Sequence, residues 1–491
     1  MGMNQLVNDS GSATVVVDSG RRAFMGQVAT SVGGLSLVSS LSGCISSGPK
    51  NAWVVAETIR KTVVPPVFPD RIIDIRSFGA DANSADNTAA IAAAILACHQ
   101  QGGGTVLVKG GQYKCGPIHL LSNINLHIDE SATLLFSTDP AAYLPPVFTR
   151  WEGMELMGSS PLIYAYQQTN IAITGKGALN GQADEVHWWP WKGRVKDGKD
   201  WSDPDTPTQD MARTQLQIEV ENNLPVEKRI YAENAYLRPP FVQLYQCKNI
   251  LIKDVTITNS PFWLIHPVLS ENVTIDGVTC VSHGPNSDGC DPESCKNVVI
   301  KNCVFDTGDD CIAIKSGRNA DGRRVNIPSE NIVISDCKMR KGHGGVVIGS
   351  EISGGVRNVF VEDCQMSSPD LERGIRIKTN SVRGGIIEKI YVRDIQIGEV
   401  QTAIVIDFNY EEGDTGQFTP IVRDVEISNL ICEKAKQVFQ VRGYSRSPII
   451  NLRLNNCIFK QVETIGILEE LENFSANQVV IQGIPFSVGA T

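Results

Sequence analysis

The sequence predicts an all-β solenoid, a parallel β-helix, and three observations lead there. First, a short pattern recurs at Asn249, Asn272, Asn297, Asn331 and Asn358: Asn, apolar, any, apolar, polar, then Asn, Asp or Gly, then a small or apolar residue. Looser copies start at Lys389, Asp424, Asn451 and Asn477, with an earlier one at Asn170. Second, apolar residues alternate inside each copy, as in a strand, while successive starts lie 23 to 35 residues apart, as in a stacked coil. No segment between copies shows helical periodicity, so each coil is expected to be strand and turn. Third, the seventh residue of the pattern, six after its start, is Val255, Val278, Cys303, Cys337, Cys364, Ile395, Leu430 and Cys457. Cysteine exchanging with Val, Ile and Leu at one register marks an inward column of apolar side chains, so these cysteines are expected to be reduced.

Taken in order, the first 44 residues resemble a twin-arginine signal ending in a lipoprotein box. Arg21-Arg22 precede Ala23-Phe24-Met25 and a weakly apolar run to Leu41-Ser42-Gly43-Cys44, with Cys44 becoming the lipidated N-terminus. This implies export: periplasmic, held at the outer membrane, or extracellular. The run is too short and too rich in small residues to span a bilayer, so membrane contact is expected only through the lipid at Cys44. Residues 45–70, with Pro49, Pro65, Pro66 and Pro69, read as a linker, and residues 71–491 as one β-helix carrying the catalytic site. Asn87 to Gln100 is Ala-rich with one apolar face, a helix that would cover the open first coil and its unpaired backbone. Gly102-Gly103-Gly104 ends this helix; it is not a phosphate loop, because no Gly-Lys-Ser/Thr follows. Cys290 and Cys295 bridge or simply pack, and no second Cys/His pair accompanies them to make a zinc site.

Charge narrows the partners. A formal net charge of −10 argues against general nucleic-acid binding. Yet Lys315 to Arg383 holds twelve Lys/Arg against eight Asp/Glu, a basic patch on an acidic chain that suits an anionic ligand held at one place. A solvated face with chance clustering is the competing account of that patch.

Four polar motifs interrupt the apolar repeat: Asn286-Ser287-Asp288, Gly308-Asp309-Asp310, Gly342-His343-Gly344 and Arg376-Ile377-Lys378. Asp309 lies twelve residues after Asn297 and His343 twelve after Asn331, so stacking should make them neighbours. Alternation sends Arg376 and Lys378 to one face, which must be the outer one. Asp309 and Asp310 would point oppositely in a regular strand, so Gly308 is expected to make a turn or bulge that brings both out. Clustered carboxyls raise the proton affinity of at least one of them, which suits a general acid, while an ionised neighbour activates water. In an inverting glycosidase the two stand about 6.5–9.5 Å apart.

In this order the motifs resemble the polygalacturonases of glycoside hydrolase family 28, over a span from about Ile72 to the C-terminus. The resemblance implies a right-handed parallel β-helix and inverting hydrolysis of α-1,4-linked galacturonan, an acidic polysaccharide, without metal or other cofactor. By the same resemblance Asp309 is the general acid and Asp288 and Asp310 the pair that activates water. His343 tunes the acid, and Arg376 and Lys378 bind substrate carboxylate. Asn286 and Tyr410 touch substrate. Ser287 stands where many members have Thr. The long interval from Asn297 to Asn331, filled by residues 317–324, is similar to exo-acting bacterial members whose inserted loops close one end of the cleft.

Two other readings remain. A pectate lyase shares the β-helix but would use calcium on Asp288, Asp309 and Asp310 with Arg376 as base. A non-catalytic β-helix would use its outer ladder only to bind carbohydrate. The tryptophans at 188, 189, 191 and 201 either line the cleft as sugar platforms or pack a long loop. The pattern carries no signal for oligomerisation.

Overall fold

The repeating Asn is a corner. In the computed structural model, which describes residues 49–193, 200–203 and 205–487, Asn249, Asn272, Asn297, Asn331, Asn358 and Asn451 all sit at φ of 55–59°. Five residues on, Asp254, Gly277, Asn302, Asp336, Asp363, Asp394, Asn429 and Asn456 sit at 52–69°. The left-handed region is costly for most L-residues but accessible to Asn, Asp and Gly, so the two polar positions of the pattern are the two bends that bracket each strand. The corner side chains stack: Nδ2 of Asn272, Asn297, Asn331 and Asn358 each donates to Oδ1 of the preceding corner Asn at 3.0–3.3 Å. A side-chain ladder therefore runs alongside the backbone ladder.

Successive coils pair in parallel, with Ile250↔Val273↔Val298↔Ile332↔Val359↔Ile390 as one continuous register. The result is a right-handed parallel β-helix. Val255, Val278, Cys303, Cys337, Cys364, Ile395, Leu430 and Cys457 are all fully buried in its core. The twelve described cysteines are free and buried, including Cys290 and Cys295, so those two pack instead of bridging. One register differs from expectation. Asn477 pairs with Asn455, and the corner stacked on Asn451 is Asn473, at φ 56°, with Val479 on Cys457. The last coil is 22 residues long, and Asn477 belongs to its strand.

Helix α1 (Pro49–Thr62) and helix α2 (Thr88–Gln100) precede the solenoid proper. The capping helix is as expected: Ile91, Ala94, Ile95 and Cys98 form its buried stripe over the first strands. α1 corrects the linker reading. Ala52, Ala56, Ile59 and Val63 dock on Val299, Val333 and Phe360 on the outside of the stacked sheet. Trp53 meets Phe360 edge-on and Arg60 pairs with Glu362. From Pro49 the segment is therefore part of the fold, and Pro65 and Pro66 follow the helix end instead of marking a tether. The signal-type segment with Cys44 lies outside the described residues. Among the described residues no helix is long and apolar enough to cross a membrane.

Two more helices correct the expectation of coils without helix. α3 (Asp210–Glu221) lies in the long excursion between the strands Ala178–Asn180 and Val242–Tyr245, and α4 (Asn319–Val325) lies in the Asn297–Asn331 interval. α3 buries only Leu216 and Val220, too thin a stripe to register as periodicity. With the hairpin Val147–Trp151/Met154–Gly158 they form a wall beside the coils. Ion pairs tie it together: a buried one, Arg229 to Asp321 at 2.7 Å, and one from the exposed Arg324 to Glu155 at 2.6 Å.

Candidate active site

The cleft lies on the outer face of the sheet formed by Ile312–Ile314, Val346–Ile348 and Arg373–Lys378. Its register, Ile312↔Val346↔Ile375↔Ile404 and Ile314↔Ile348↔Ile377↔Ile406, keeps the isoleucines and Val346 in the core. Arg376 and Lys378 accordingly project outward, as alternation requires, though neighbours cover them almost completely.

The segment 308–310 bends just before its strand, and the two carboxylates part company there. Asp309 faces the cleft. Asp310 is fully buried beneath it, accepting from Lys378 Nζ at 2.7 Å and Arg376 Nη1 at 3.3 Å. The outward bulge expected for both therefore holds only for Asp309; Asp310 avoids an unpaired burial by taking both cations. His343 Nδ1 stands 2.9 Å from Asp309 Oδ1, and the His343 amide donates to Asp309 O at 3.1 Å. Gly342 makes this approach possible. At φ 148°, a Cβ there would lie 2.4 Å from Asp309 O.

Asp288 is buried with Oδ2 3.7 Å from Lys315 Nζ, and its Oδ1 has no partner. Oxygens of Asp288, Asp309 and Asp310 all lie within 4.8 Å of one another. Oxygen to oxygen, this is tighter than the separation of about 6.5–9.5 Å expected for an inverting pair. The cluster has the spacing of a cation site, but its charge is met from within, by Lys315, Arg376 and Lys378.

All eight expected site residues converge here. Asn286 accepts from Arg238 Nη2 at 2.7 Å at the cleft edge, and Tyr410 lies under the cations, its ring centroid 5.5 Å from the Arg376 guanidinium and 5.1 Å from Lys378 Nζ. Sequence reasoning missed the buried group behind them. Lys315 reaches Asp291 at 3.6 Å and Glu351 at 3.3 Å as well as Asp288, and packs on the Trp263 ring. A signal existed: Ile312-Ala-Ile-Lys315 alternates as Ile375-Arg-Ile-Lys378 does, which sends Lys315 outward too. Also missed were the wall residues Glu152, Arg213 and Arg318, which line the same 390 Å³ pocket. The tryptophans divide: Trp188 and Trp191 pack against each other and against Tyr143 and Tyr236, while Trp201 lines the cleft.

Electrostatics separate the three carboxyls. Burial, reinforced by Asp309 and Asp291 and only partly offset by Lys315, pushes Asp288 well above the ordinary carboxylate range. Burial also works to raise Asp309 and Asp310, but the cations win at both: His343, Lys378 and Lys315 hold Asp309 down, and Lys378 and Arg376 hold Asp310 down. The Asp309 carboxylate in turn lifts His343 to about 9. Of the three carboxyls, Asp288 is the one whose proton affinity burial raises, and Asp291 is raised likewise.

Comparison with known proteins agrees with this arrangement. The profile described as Glycosyl hydrolases family 28 matches residues 228–461. A hyperthermoactive exopolygalacturonase from Thermotoga maritima is 42% identical, with 89% of this chain and 97% of that one covered at a TM-score of 0.85. The exo-poly-alpha-D-galacturonosidase of Dickeya chrysanthemi is 29% identical over 74% of this chain, which spans 60% of that protein's length. The family 28 exopolygalacturonase of Yersinia enterocolitica, 22% identical with a TM-score of 0.62 over 85% of this chain and 79% of that one, shares the fold. With this identity across nearly the whole length of a solved relative, and with the matched span holding all four motifs of the cleft, the chain belongs to family 28 of the glycosyl hydrolases.

Proposed function

We propose that this protein hydrolyses the α-1,4 bonds of galacturonan from a chain end, with inversion at the anomeric carbon. One observation carries the reading: three carboxylates within 4.8 Å of one another sit against two cations, Arg376 and Lys378, in a cleft walled by inserted elements. Asp310 carries one negative charge against those two cations, so the pair retains positive charge that a galacturonosyl carboxylate would meet and a neutral sugar would not.

Asp309 is the most exposed of the three carboxyls and the one hydrogen-bonded to a histidine, so it is positioned to protonate the leaving oxygen. With Asp309 held low and His343 lifted to about 9, the proton of that pair belongs to His343 near neutral pH. Substrate carboxylates entering the cleft and displacing water raise the proton affinity of Asp309, and the proton has only the 2.9 Å hydrogen bond to cross. Asp310, held ionised by its two cations, and Asp288 beneath it flank the place for the attacking water. The raised proton affinity of Asp288 favours a second assignment, in which Asp288 is the acid and Asp309 the base. The leaving group separates the two, as argued in the Discussion.

The walls support chain-end action. α3, the approach to α4 and the 147–158 hairpin bring Arg213, Arg318 and Glu152 to the lining of the cleft, insertions of the kind that would obstruct a passing polymer. The Arg21-Arg22 and Leu41–Cys44 motifs support delivery of the enzyme, lipid-anchored at Cys44, to polymer outside the cytoplasm. Digestion of polygalacturonate tests the reading. Small product should appear from the first time points without intermediate oligomers, without unsaturated sugar ends, and undiminished in chelator. Unsaturated ends or loss in chelator would instead indicate a calcium lyase, and no turnover at all a binding protein.

A further inference from the structure

The motif Trp188-Trp189-Pro190-Trp191 is more machinery than a surface loop needs. Trp188 is buried against Tyr143 and Trp191, Trp191 against Tyr236, and Trp189 donates from Nε1 to Ser260 O at 2.9 Å. Together they hold a single 3₁₀ turn, Trp189–Lys192, which Gly193 closes at φ 77°. Lys192 is the last residue of that turn, partly buried and facing the cleft.

Its ammonium differs from the other cations of the pocket. Arg213 donates to Glu152 at 2.8 Å, Arg318 pairs with Glu152 and Glu351, Lys315 with Glu351, and Arg376 and Lys378 with Asp310. Among the described residues Lys192 has no hydrogen-bond or ion-pair partner. Glu152, the anion that bears most on it, is already held by two guanidiniums, and Asp309 also acts on it across the cavity. Burial lowers its pKa, so an incoming anion would stabilise its charged form. Arg376 and Lys378 stand on the Asp310 side of the acid, on the floor strand, whereas Lys192 comes from the wall inserted between Asn180 and Val242.

We propose that Lys192 binds the carboxylate of the terminal galacturonosyl residue, across the scissile bond from Arg376 and Lys378, so that the enzyme reads an acid group on both sides of the bond it breaks. This deepens the functional reading above and rests on it. A chain end seated against the wall would present its carboxylate to Lys192, a cation unpaired among the described residues, which makes the wall a reader of chemistry.

The test uses short oligogalacturonides with a methyl ester on the non-reducing terminal residue only, compared with the free acid and with an ester on the residue next along. For the wild type, the terminal ester should lower kcat/KM about tenfold or more, as loss of a charge-assisted hydrogen bond does. In Lys192→Met that penalty should shrink below about threefold, because the variant loses rate on the free acid while keeping the wild-type rate on the terminal ester. The penalty for the neighbouring ester should persist, and Lys192→Arg should restore much of the discrimination. The preserved rate on the ester doubles as proof of an intact fold. A wild type that turns over while Lys192→Met keeps the full terminal-ester penalty, or loses rate equally on both substrates, overturns this assignment alone. A wild type inert on every oligogalacturonide overturns the functional reading and this one with it.

Discussion

Asp309 and His343 hold one proton between them, and where it sits decides the chemistry. His343 is lifted to about 9 by the Asp309 carboxylate, while Asp309 is held below the usual carboxylate range. The sign of the pH dependence follows. A histidine whose folded pKa is raised stabilises fully below its unfolded value of about 6.5, and that contribution is lost as pH rises through the folded value. The carboxylate side acts oppositely, contributing above about pH 4 and failing as pH falls below that. The difference in Tm between wild type and His343→Gln should therefore be largest between about pH 4 and 6.5 and close to zero above pH 9. A difference that persists unchanged at pH 10 would mean that the pair is not an ion pair.

The same pair raises the question of which carboxyl is the acid. General acid catalysis contributes about 10²–10⁴-fold, and its loss is softened when the leaving group needs no proton. Asp309→Asn should lose about that much on oligogalacturonides but less than about tenfold on an aryl galacturonide with a good leaving group. If Asp288→Asn shows that split and Asp309→Asn does not, the roles exchange, in keeping with the raised proton affinity of Asp288.

At the scale of the coil, the corner asparagines do two jobs that one variant can separate. Asn331 sits at φ 59°, donates to Asn297 at 3.0 Å and accepts from Asn358 at 3.1 Å. Asn331→Ala loses both hydrogen bonds and pays for a left-handed conformation, about 2–4 kcal/mol in all, whereas Asn331→Gly keeps the backbone freedom and loses about 1–2 kcal/mol less. Chemical unfolding of the two variants measures this. Equal losses would show that the ladder matters and the corner does not. α1 makes a related point about elements. Its apolar residues at 52, 56, 59 and 63 follow helical spacing, but four prolines and a neighbouring signal-like segment made the stretch read as a tether. Whether an amphipathic stripe docks depends on a complementary patch, here Val299, Val333 and Phe360, which lie hundreds of residues away in the chain.

For the whole molecule, the spacing of the carboxylates and the family's stereochemistry pull in different directions. Oxygens within 4.8 Å are nearer to the spacing of about 5–5.5 Å typical of retaining sites. Against retention, Asp310 is fully buried and held by two cations, so it is not free to bond to a sugar carbon. Following the first turnover by proton NMR should show the β-anomer of the released sugar before mutarotation; the α-anomer appearing first would indicate a covalent intermediate.

Much of this protein was written in a local code. In a solenoid, residues one period apart in the chain are neighbours in space, so equal offsets from Asn297 and Asn331 were enough to place His343 beside Asp309. Alternation was likewise enough to put Arg376 and Lys378 outward and the cysteine column inward. Coil, core and motif convergence were therefore legible from residue spacing. The split in proton affinity between Asp288 and Asp309, the burial of Asp310, the Lys315 cluster and the wall residues Glu152, Arg213 and Arg318 were not. They depend on desolvation and on charges brought in by α3, α4 and the 147–158 hairpin, which carry no period and whose positions are set by packing against coils distant in the chain.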